Sequence, residues 1–238
     1  MIRWPFVVLL HRYRRLAGAL LIGWPALALA AGGSATLQTF DPDGEAVTVS
    51  IETLDGQRLR LASPDHPEAY LLMLGSRTYN VMQFGGMPLV MDAADMLTQM
   101  GAPMPAAPAP TDDIRKLVSL EPTGQPETVA GIVGQRQRLR YLDSQNQMRE
   151  EEVVTARDPL LHELSMGMYR AGVVMSAAAG VTAPDGSDQL ARQLDAKGLG
   201  LLRMGTRMRV IAVDRRAPPV ARFELPAEPM QGFPPLLE

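Results

Sequence analysis

The chain contains no cysteine. That excludes a disulfide, a zinc–thiolate site, a thiol nucleophile and a lipid-modified N-terminal cysteine. Histidine is nearly as scarce, with three in 238 residues: His11, His66 and His162. His66 and His162 are far apart, and His162 has no second ligand one helical turn on, so nothing has the spacing of a zinc site. Lysine is confined to Lys116 and Lys197, so positive charge rests on arginine. Formal net charge is -3, and Arg3, Arg12, Arg14 and Arg15 all fall in the first 30 residues without an acid among them. The remainder is therefore more acidic still, which speaks against nucleic acid, whose phosphates need clustered cations. No G-x-S-x-G elbow, Walker loop or dinucleotide fingerprint occurs. Glu150 and Glu152 form a carboxylate pair, but arginines accompany them, and ion pairing lowers a carboxylate pKa where a general acid needs it raised. The expectation is no enzyme, no catalytic residue, no cofactor and no metal.

What is present begins with an export pattern. His11-Arg12-Tyr13-Arg14-Arg15 is a basic cluster, Leu16–Ala30 is apolar, and Ala28-Leu29-Ala30 is a small-x-small site. The apolar run is shorter than the ~20 residues of a bilayer span. The pattern is that of a secretory signal peptide over residues 1–30, cleaved after Ala30, with a periplasmic mature protein. An uncleaved anchor is the alternative, and Arg14-Arg15 leaves Sec and twin-arginine export both open.

Residues 31–46 are small and polar and predict a flexible mature N-terminus. A single domain over residues 47–228 follows. Val47–Leu54 and Arg58–Ala62 bracket Asp55-Gly56, a strong hairpin signal. Ala69–Leu74, Thr78–Met82 and Met87–Met91 continue an antiparallel meander. Asp92 is placed to cap a short helix over Ala93–Met100, with Met96, Leu97 and Met100 on its apolar side. Residues 101–113 are a proline/alanine loop within the domain. Ile114–Leu120 is the next strand, with a turn at Glu121–Gly124, and Thr128–Val133 another. Gln135–Leu142 and Met148–Ala156 form a hairpin in which Arg138 and Arg140 fall opposite Glu152 and Glu150, or one residue off. Arg136, Arg138 and Arg140 share a strand face. They read as a solvent-facing ion ladder or, less simply, as a lining for an anionic head group.

Asp158-Pro159 is a cap followed by proline at the first helical position. Leu161, Leu164, Met168, Ala171, Met175 and Ala178 then recur at three- and four-residue spacing, and Gly180 closes a long amphipathic helix. A short helix at Asp188–Ala196 and strands at Leu201–Met204, Arg207–Asp214 and Val220–Leu225 complete the domain. Residues 229–238 are a loose tail. Fifteen methionines are an unusual number. Met166, Met168 and Met175 raise soft-metal ligation. No M-x-x-M cluster with histidine or cysteine accompanies them, and a thioether also fills irregular apolar gaps and adaptable binding surfaces.

Three pieces occur in order: Arg58-Leu59-Arg60 with Tyr70–Leu74 and Thr78–Met82; Val129-Ala130-Gly131-Ile132 with the hairpin and Asp158-Pro159; and Ala221–Ala227. Across residues 45–228 this order resembles an uncharacterised bacterial periplasmic half-barrel family, similar in fold to the lipoprotein carriers of the LolA and LolB type. The resemblance implies a mainly β fold, a curved antiparallel sheet with one short and one long helix on its concave face. In such folds that face can hold an acyl chain. The resulting expectation is an envelope protein binding a lipid or lipoprotein acyl chain, with Met96, Met100, Leu161, Leu164, Met168 and Met175 as the apolar lining. The alternative is a structural or interaction module with a packed interior and an envelope protein as partner.

Overall fold

The computed structural model describes residues 32–40, 45–95, 114–178, 180 and 184–230. The signal-peptide segment, Met96, Met100 and the proline/alanine loop lie outside these residues. Eleven strands form one open antiparallel sheet in the order β6-β5-β4-β3-β2-β1-β11-β10-β9-β8-β7. The fold is mainly β, as the spacing of apolar residues and turns predicts. The first meander comprises β1 (Gly33–Phe40), β2 (Ala46–Thr53), β3 (Arg58–Ser63), β4 (His66–Leu74), β5 (Arg77–Phe84) and β6 (Met87–Asp92). The chain then crosses to the opposite edge and returns through β7 (Lys116–Val129), β8 (Ile132–Leu142) and β9 (Met148–Ala156). Two helices follow, α1 (Pro159–Ala178) and α2 (Asp185–Ala196), then β10 (Gly200–Met204) and β11 (Met208–Asp214).

Several sequence expectations are corrected. The stretch 33–40, expected to be flexible, is a central strand, paired with β2 on one side and β11 on the other. Ala35 and Leu37 are buried while Ser34, Thr36 and Gln38 are only half-buried, a period-two pattern carried by small side chains. The turn expected at Glu121–Gly124 is a register shift within the long strand β7, between Pro122 and Pro126. β7 is a sheet edge, the place where proline costs no ladder bond. The actual turn is Ala130-Gly131, with φ of 49° and 77°. Two consecutive positive φ angles give the primed turn that matches strand twist. The last expected strand is instead a single 3-10 turn, Val220–Phe223.

That turn belongs to a strap on the outer face of the sheet. Phe223 is buried at 3% exposure, and Leu225 and Ala227 pack against a small cluster of Tyr79, Val81 and Val90. Arg222 reaches Glu52 at 2.8 Å. Met230 donates its N–H to the Val90 carbonyl at 2.8 Å and makes a parallel bridge to Met91 on the edge strand β6. Residues through 230 are thus held to the sheet, beyond where the loose tail was expected to begin.

The main core lies on the inner face, under α1 and α2. α1 crosses β10, β1 and β2, while α2 rests on β7 and α1. Asp158 starts α1 as expected: its Oδ1 accepts from Leu161 N–H at 3.1 Å, and Arg215 binds its Oδ2 at 2.5 Å. Burial opposes ionisation of Asp158. The Arg215 guanidinium and the helix N–H groups outweigh it and hold the carboxyl below its usual range. A carboxylate with a depressed folded-state pKa stabilises the fold above its unfolded pKa, and that contribution is lost as pH falls through the folded value. Asp158→Asn keeps a capping oxygen and removes the charge. Its unfolding free energy should therefore fall less steeply than that of the parent chain as pH drops below about 4. Denaturant melts between pH 3 and pH 7 measure this, and parallel curves would refute it.

Candidate functional site

The space between helices and sheet is an apolar cavity of about 90 Å³. Its floor is Ala35 and Leu37 of β1, Ile51 of β2, Leu201 of β10, and Met208 and Val210 of β11. α1 supplies Leu161, Leu164, Met166, Met168, Gly172 and Val173 as one wall, and α2 supplies Leu190, Ala191 and Leu194 as the other. The central pairing of β1 with β11 therefore builds the floor, and the return of α2 closes the far side.

Of the residues expected to line a site, Leu161 and Leu164 are buried in this cavity wall and Met168 is half-buried in it. Met175 lies half-buried on α1 outside the lining. The pattern of α1 identified the wall residues because they recur on one helix face. The floor was missed, since which residues of β1 and β11 face inward depends on register. Gly172 and Ser176 were also missed, although they continue the face of Met168 at four-residue spacing.

Gly172 is the distinctive residue. At Gly167 an added methyl group would meet Leu59 at 2.8 Å, so that glycine lets α1 sit down on β3. At Gly172 it would meet nothing within 4 Å. A mid-helix glycine costs about 1 kcal/mol relative to alanine. Gly167 offsets that with packing, whereas Gly172 leaves space at the cavity.

Polar groups at the wall are few. Ser165 Oγ donates to the Leu161 carbonyl at 2.7 Å and accepts from Leu201 N–H at 2.9 Å, tying α1 to β10. Tyr169 donates its hydroxyl to Asp188 on α2 at 2.8 Å. Burial and that bond to a carboxylate push the phenol up to about 12, so it stays protonated. His162 meets Asp195 at 3.0 Å, a second polar link between the helices. Farther along, Glu163 accepts from Thr53 Oγ1 at 2.5 Å and from Gly56 N–H at 2.6 Å, fixing α1 to the β2–β3 turn.

The arginine row of β8 faces away from this cavity. Arg138 pairs in register with Glu152 and Arg140 with Glu150, one of the two registers expected. Arg138 and Arg140 both reach Glu150, at 3.1 and 3.4 Å. Arg136 binds Glu127 at 2.9 Å, Arg203 binds the same carboxylate at 2.9 Å, and Arg203 also binds Glu152. This is an ion lattice on the outer face, across β7, β8, β9 and β10. Hydrogen bonds from Arg203 chiefly hold the Glu127 carboxyl below its usual range, against burial and with help from Arg136.

Comparison with family models, curated proteins and solved structures finds no match. The site is therefore read from its own geometry. Among the described residues no group of three or more His, Cys, Asp or Glu is placed to hold a metal. Also among them, no helix is long and apolar enough to cross a membrane.

Proposed function

We propose that the chain is an exported, non-enzymatic envelope protein that takes an apolar group into the space under α1 and α2. The ligand is the end of an acyl chain, from a lipid or a lipoprotein, and the location is the periplasm. The signal-peptide pattern of residues 1–30 and the half-barrel resemblance motivate the setting. Gly172 carries the reading. It is a helix interior position where a methyl group would be tolerated and helix-stabilising, yet the residue present leaves the cavity open.

Size narrows the ligand. Pockets for drug-sized molecules span roughly 300–1,000 Å³, and a cavity of roughly 150 Å³ is known to take benzene. The 90 Å³ here suits a chain end of a few carbons, and a longer insertion requires α2 to move away from α1. The same small volume favours the second reading, an interaction module whose interior is simply core.

Gly172→Leu separates the two. Its side chain should fill the cavity, leaving stability equal or higher while removing bound ligand. Native mass spectrometry after gentle purification should show lipid on the parent chain and none on the variant. A parent chain that is reproducibly empty, with a stoichiometric protein partner recovered from an envelope fraction, would establish the interaction module instead.

A further inference from the structure

Among the described residues, the cavity wall has no side chain that is charged at neutral pH. Its twenty lining residues include no Asp, Glu, Lys, Arg or His, and its one titratable group, Tyr169, is held protonated. The polar side chains among its lining residues are all hydroxyls, those of Ser165, Tyr169, Ser176 and Ser187. An anionic head group buried here would lose its water without gaining a cation, and isolated buried ions are the most costly groups of all.

The α2 N-terminus beside the cavity offers no substitute. A helix start can receive an anion through free N–H groups and its positive dipole end. Here Gly186 N–H is bonded to the Arg115 carbonyl at 3.0 Å and Ser187 N–H to the Pro184 carbonyl at 3.1 Å. The same turn carries Asp185 and Asp188. Asp188 receives the Tyr169 hydroxyl and is ion-paired with Arg192, so the guanidinium on this helix is already engaged by a carboxylate. The Gly186 and Ser187 donors are thus committed, and the two carboxylates of the first turn set the local field against an anion.

We propose that the site selects uncharged ligands: an apolar chain whose polar end is an alcohol or an ester, in preference to a carboxylate. This rests on the ligand-binding reading above. An esterified acyl group, as in a glyceride or a lipidated protein, has that chemistry, whereas a free fatty acid does not.

The test uses 1-propanol and propanoate, equal in carbon count and, at three carbons, within the few-carbon size that the cavity of about 90 Å³ suits. Binding is followed at pH 7 by chemical-shift perturbation of the full mature chain. Propanol is expected to bind about tenfold more tightly or better, since only the carboxylate must be desolvated as an ion. Equal affinity would overturn the charge selectivity and leave the cavity reading standing. Binding of neither would overturn both. Ser176→Lys places a cation at a half-buried lining position of α1. It should raise propanoate affinity relative to propanol, with folding checked by a thermal melt. A folded Ser176→Lys chain with an unchanged preference would also overturn the proposal.

Discussion

Gly200→Ala is expected to destabilise the protein by about 3 kcal/mol, the upper part of the range for overpacking a core. The reason is backbone against backbone. Gly200 opens β10, and α1 crosses directly over it. A methyl group there would overlap the carbonyl carbon of Leu161 and stand 2.5 Å from the His162 nitrogen and the Leu161 Cβ. Neither partner is a flexible side-chain end that can swing aside. The helix would have to lift from the sheet, separating Ser165 from Leu201 and Leu161 from the cavity floor. In a chain of this size about 3 kcal/mol corresponds to a melting-temperature loss of roughly 6–12 °C. Gly172→Ala on the same helix is the internal control, expected to gain about 0.5–1 kcal/mol. A Gly200→Ala melt within 2 °C of the parent, roughly the shift from 1 kcal/mol or less, would show that α1 is not seated on β10 as described.

Phe223→Ala should cost a comparable amount, about 3 kcal/mol, by leaving a cavity where a large aromatic ring was buried. Phe223 is 3% exposed, and it belongs to the strap rather than to the sheet or helices. The strap turn packs on β3. Next to it Arg222 binds Glu52, which also faces Arg60 at 3.6 Å, and Arg60 lies 4.0 Å over the Tyr70 ring. Val220→Ala, three residues away and 53% exposed, should change stability by less than about 0.5 kcal/mol. If chemical denaturation finds the two substitutions equivalent, the strap is not a structural part of the fold.

Legibility followed local chemistry. The Asp55-Gly56 hairpin, the Asp158-Pro159 helix start and the pairing of Arg140 with Glu150 were readable because turn type, cap and alternation act within a few residues. β1 was obscured because its buried residues are only Gly33, Ala35 and Leu37, and composition outweighed period. β7 was split by prolines whose tolerance depends on the strand being an edge, which no local pattern states. In the last segment Ala221, Phe223 and Leu225 alternate as in a strand, but no strand lies there for them to pair with. Half of the cavity was readable from the stripe of α1. The other half needed to know that β1 and β11 are neighbours.

That neighbourhood sets an order of assembly. Every strand pair but one joins segments consecutive along the sheet's two meanders, with α1 and α2 interposed once between β9 and β10. The exception, β1 with β11, spans nearly the whole described chain. While the chain is being made, β1 to β6 can pair as soon as they emerge. β1 must then wait, with one row of backbone groups unsatisfied, until residue 214 arrives. Such an open edge is a template for pairing with another chain. The central seam is thus a late, non-local step. The cavity floor straddles that seam, so no cavity exists before β1 has met β11.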